Sequence, residues 1–88
     1  MGNTEESGRH LLEALKIAQD IGAAHHEVQA LRRLGRADFA EGRLTVATDR
    51  LRAAAAVAAR THDVDEETAA RTLLAEVRLS AGMSMKHA

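Results

Sequence analysis

Apolar residues recur three and four positions apart along this chain, in four blocks separated by short polar or glycine-marked breaks, which is the spacing of amphipathic helices. The first block holds Leu11, Leu12, Ala14, Leu15, Ala18 and Ile21, and Gly22 closes it. It predicts a helix over residues 4–21, with Asn3 placed to cap it and Glu6 as the reciprocal partner. The second block is built on Val28, Leu31, Leu34 and Gly35, widened by Ala30, Ala37 and Phe39. It predicts a helix over 24–41. Gly42 stops that helix, because glycine takes the left-handed conformation of a helix end at little steric cost. Leu44, Ala47, Leu51, Ala54, Ala55 and Ala58 predict a third helix over 44–60. Arg50, Arg52 and Arg60 are expected to face solvent, with Asp49 able to pair there. Asp63 and Glu66 form a capping box for a fourth helix, and Asp65, Glu66 and Glu67 suit the positive end of its dipole. Its apolar set is Val64, Ala70, Leu73, Leu74, Val77 and Leu79. These predict a helix over 64–81, stopped by Gly82, with 83–88 a frayed tail.

The connections are short, so consecutive helices should be antiparallel neighbours. The blocks also repeat. LGRADFAEG at 34–42 is followed forty positions on by LAEVRLSAG at 74–82. Leu34 then falls on Leu74, Gly42 on Gly82, Leu11 on Leu51, Ala14 on Ala54, Ala18 on Ala58 and Ala30 on Ala70. The matches lie at expected core positions and helix stops. Two helices per period of about forty is a solenoid pattern. Gly35, midway along the second helix, leaves room for another backbone to approach closely.

Composition narrows the class. The chain has 88 residues, 45% of them apolar, and enough length for one small domain. Much of the apolar content is alanine, and Phe39 is the one aromatic residue. With no proline and few strand formers, the fold class is all-α. A net charge of -1 gives no general pull toward nucleic acid or acidic membranes. There is no cysteine, hence no disulfide or thiolate chemistry. No apolar run approaches the roughly 20 residues of a membrane span. The opening MGNTEESG is not a signal peptide, and the expected location is the cytoplasm.

In LGRADFAEG, followed by Ala47, Leu51 and Ala54, the chain resembles a tetratricopeptide repeat. That family has a leucine-glycine pair in its first helix and a small-large-small pattern in its second. Ser7, Leu11 and Ala14 repeat the second pattern, and Leu74 with Ala75 repeats the first, alanine replacing glycine. Leu31 stands where the family's usual aromatic precedes the pair, and the later aromatic is displaced to Phe39. The forty-residue period resembles the variant found in large bacterial regulators and signalling proteins. The resemblance implies four antiparallel helices forming α-hairpin repeats, a fragment of a right-handed α-solenoid. It also implies a non-catalytic scaffold for protein or peptide binding in a bacterial regulatory protein. Leu11, Ala14, Leu31, Leu34, Gly35, Phe39, Ala47, Leu51, Ala54 and Leu74 are then its structural core. In this phase only the second and third helices make a whole repeat, and each end helix lacks a neighbour. Self-association follows as an expectation, a homodimer in preference to an open chain.

In the family, first helices line a concave groove. The positions that match are Gln29, Arg32 and Arg36 on the second helix and Thr72, Glu76 and Ser80 on the fourth. Arginine grips carboxylates through paired hydrogen bonds, so an acidic or mixed-charge peptide is the expected ligand. Replacing Arg32 and Arg36 should then weaken partner binding and leave stability nearly unchanged. His25, His26 and His62, with Asp20, Asp63 and Asp65 nearby, match no metal-ligand spacing, and solvated turn residues are their default. No metal or cofactor is expected. Ser7, Ser80, Ser84 and the threonines lack an evident base and a nucleophile-elbow pattern, so an enzyme is not expected. The alternative reading is a small helix-turn-helix-like DNA-binding regulator, from FAEGRLTVATDRLRAAA. Against it stand the short spacing of Ala40, Gly42 and Val46 and the absence of net positive charge.

Overall fold

Three turns of one construction set the fold. In the computed structural model, which describes the backbone of residues 2–86 and the side chains of 6–82, residues 22, 42 and 62 all have positive φ: 71° at Gly22, 80° at Gly42 and 57° at His62. At each turn the next amide reaches back five residues: Ala23 N–H to Ala18 O at 2.9 Å, Arg43 to Asp38 at 2.8 Å and Asp63 to Ala58 at 2.9 Å. This six-to-one bond caps the orphan carbonyls of a helix that ends in a left-handed residue. The turns recur every twenty residues, half the period seen in the side chains.

Between them run four helices, α1 (Gly2–Ile21), α2 (Ala24–Ala40), α3 (Leu44–Arg60) and α4 (Val64–Lys86). The described residues contain no strand, and the chain is all-α. α2 and α3 lie where the apolar spacing and the glycine stops place them. α1 begins at Gly2, so the backbone of Asn3 is already helical, and its side chain lies outside the described residues. α4 continues past Gly82 to Lys86, so Gly82 is no stop and 83–86 are helical. Gly82 carries no positive φ, and the space a Cβ would fill there is open. Residues 87 and 88 lie outside the described part.

Each helix packs on the next, and α4 also touches α2. Among the described residues α1 meets α2 alone. The helices therefore form an open layer, 44 × 33 × 15 Å, and do not close into a ring. Two apolar clusters hold it. In one, Val28 and Leu31 of α2 pack on Ala54, Val57 and Ala58 of α3 and Ala70 of α4. In the other, Ala47 and Leu51 of α3 pack on Leu74 and Val77 of α4, with Phe39 at the edge. Leu51, Val28 and Val77 are the largest fully buried side chains, and each stabilises the fold by about 1.5–3 kcal/mol.

Of the expected core, Leu31, Leu34, Gly35, Ala47, Leu51, Ala54 and Leu74 are buried. Leu11 and Phe39 are half-buried, and Ala14 is exposed. Ala14 matches the buried Ala54, but among the described residues α1 has no helix on the side that covers Ala54 in α3. Leu79, assigned to the apolar set of α4, is 67% exposed because no helix among the described residues packs on that side of α4.

Candidate functional site

Polar side chains tie the helices together more than the sequence predicts. Asp38 is the buried charged residue among the described positions, 4% exposed. Its carboxylate accepts from Arg43 Nε at 3.1 Å and from Arg50 Nη1 at 2.9 Å, and Arg43 also bonds Glu41. Arg50 is thus held by Asp38 across the α2–α3 turn and is not turned to solvent. At the N-terminus of α4, Asp63 Oδ1 accepts from the Glu66 amide at 3.2 Å, which is the capping half of the expected box. The Glu66 carboxylate completes a different bond, accepting from Arg32 Nε at 2.8 Å. His25 Nδ1 lies 3.2 Å from Asp63 Oδ2. Both contacts join α2 to α4.

The six residues assigned to a concave groove sit in different surroundings. Arg32 is engaged with Glu66. Gln29 faces the other way, lining a groove between α1 and α2. Arg36, Thr72 and Glu76 are exposed and Ser80 is half-buried, with the Thr72 hydroxyl donating to Thr68 O at 2.8 Å. Among the described residues no three His, Asp or Glu side chains gather as a metal site would need.

Two surface grooves stand out. The first, about 400 Å³, runs between α1 and α2. Leu11, Ala14, Ile17 and Ile21 form one wall, and His26, Ala30 and Arg33 the other. Its apolar side chains are unusually open to water: Ile17 is 58% and Ile21 72% exposed. The second, about 430 Å³, lies between α3 and α4, with a floor of Ala55, Ala56, Ala59 and Ala75 beneath Arg52, Arg71 and Arg78. Arg71 pairs with Glu67 one turn back at 2.7 Å. Sequence reasoning missed this basic groove because its arginines come from two helices. The signal was there in the i, i+7 spacing of Arg71 and Arg78 opposite Arg52.

No family model, curated protein or solved structure matches the chain. Among the described residues no helix is long and apolar enough to cross a membrane.

Proposed function

We propose that this chain is a non-catalytic protein–protein interaction module, a helical-hairpin scaffold of the tetratricopeptide type that self-associates through an open end. One observation carries the reading: the α1–α2 groove leaves Ile17 and Ile21 in water beside the buried Ala18 and Ala30. Exposed apolar surface of this kind marks an interaction site. The uniform turns and the α2–α4 contact fit a fragment of an α-solenoid. Arg52 and Arg78 offer an acidic partner peptide a better grip than Arg32 does, since Arg32 is already paired with Glu66 as Arg71 is with Glu67. Arg36 also remains exposed for the same use. A cytoplasmic bacterial regulator is the setting this reading favours. Light scattering over a wide concentration range tests it. A dimer mass is the expected result, and a monomer at every concentration overturns self-association.

A further inference from the structure

The α1–α2 groove is an apolar surface left open among the described residues. Adding forty to Ala14, Ile17, Ala18 and Ala30 gives Ala54, Val57, Ala58 and Ala70. Those four are buried beneath Val28 and Leu31 of α2. In the groove itself Ala14 and Ile17 are exposed. The same small-and-branched surface therefore occurs twice, once covered by a helix and once open.

The covered copy fixes the direction of the occupant. His25 meets Asp63 and Arg32 meets Glu66, so α2 and α4 ascend together and run parallel. A helix placed the same way on α1 and α2 runs parallel to α2 and antiparallel to α1. A second copy cannot supply it from α4. There the counterparts of Val28 and Leu31 are Thr68 and Arg71, which carry no apolar stripe.

α1 itself qualifies. Its outer edge bears Arg9, Glu13, Lys16 and Asp20, all exposed and alternating in sign at helical spacing. Two such helices laid antiparallel about an axis between residues 14 and 15 bring Arg9 opposite Asp20 and Glu13 opposite Lys16, twice over. Ala14 of each copy then lies beside the axis, where a small residue permits close approach, and Ile17 enters next to it. A two-fold contact is self-complementary in this sense, residue i meeting j and j meeting i.

Building on the self-association proposed above, we infer that a second copy of this chain occupies the groove, α1 antiparallel to α1 about a two-fold axis between residues 14 and 15. The mass of the full chain and its variants by sedimentation equilibrium tests it. The wild type should be a dimer and Ile17→Glu a monomer of unchanged helicity. Glu13→Lys and Lys16→Glu should each weaken the dimer by about tenfold, and the double swap should restore it. The chain has no cysteine, so Ala14→Cys should cross-link into a disulfide dimer on oxidation. A monomeric wild type overturns this pairing and self-association together. A dimer that survives Ile17→Glu and is lost in Leu79→Glu overturns the α1 pairing alone and moves the contact to α4. Failure of the double swap to restore the dimer overturns the register.

Discussion

A Cβ added to Gly35 would lie 2.7 Å from Leu51 Cγ and 2.8 Å from Leu51 Cδ2, with Ala47 O at 3.4 Å. The leucine of α3 occupies the space that any other residue on α2 would need. Gly35→Ala gains about 1 kcal/mol of helix propensity but overpacks the contact, which typically costs about 1–3 kcal/mol. The expected result in urea unfolding is a net loss. The combined Gly35→Ala and Leu51→Ala variant should lose less than the sum of the single changes, since the second removes the clash.

Leu51→Ala alone should cost about 2–5 kcal/mol, the range for a fully buried leucine whose site can collapse only in part. It touches Leu74 and Val77 as well as α2. A loss near zero would show that α3 and α4 are not packed through this residue.

His62 holds a left-handed conformation at the position where the two earlier turns have glycine. That conformation costs a non-glycine residue about 1–2 kcal/mol. His62→Gly should therefore stabilise the protein by about 1 kcal/mol, seen as a rise of about 4–8 °C in Tm at fixed protein concentration. An unchanged or lower Tm would mean that the imidazole compensates for its backbone.

Arg32 and Arg36 should separate. Arg32→Ala removes the hydrogen bond to Glu66, which is 13% exposed at its side chain, and should cost about 1 kcal/mol. Arg36→Ala should change stability by less than about 0.5 kcal/mol. Equal effects in chemical denaturation would remove the structural role assigned to Arg32.

Asp38→Ala should cost about 1–2 kcal/mol, less than for a sealed ion pair, because Arg43 and Arg50 can turn toward water. The gap from wild type should narrow in high salt, which weakens the part of the contact open to solvent.

What the sequence reveals of this molecule depends on how local the cause is. α2 and α3 are legible because a periodic apolar stripe ends at Gly42 and a capping Asp63 begins the next helix. The closeness at Gly35 is legible for the same reason, as a glycine inside a strong helical pattern. Gly82 misleads, since glycine permits the left-handed conformation without imposing it, and α4 runs on through it. His62 is hidden by its residue type and betrayed only by its twenty-residue distance from Gly22 and Gly42. Ala14 and Ala54 are identical in sequence and differ only in having a neighbouring helix. The Asp38–Arg50 pair spans two helices. Its trace is an aspartate where the repeat has Ala18 and Ala58.

The attachment of α1 through α2 alone has a kinetic corollary. Its backbone amides can open at the cost of the contact Leu15 makes with the first cluster and leave the rest of both clusters in place, so stability is graded along the chain. In amide hydrogen exchange, α1 should lose protection first and the middle of α2 and α3 last. Dilution should accelerate exchange in α1 far more than elsewhere if a second copy normally shields it. Protection of that first helix thus becomes a gauge of assembly, readable residue by residue in a chain that otherwise stays folded.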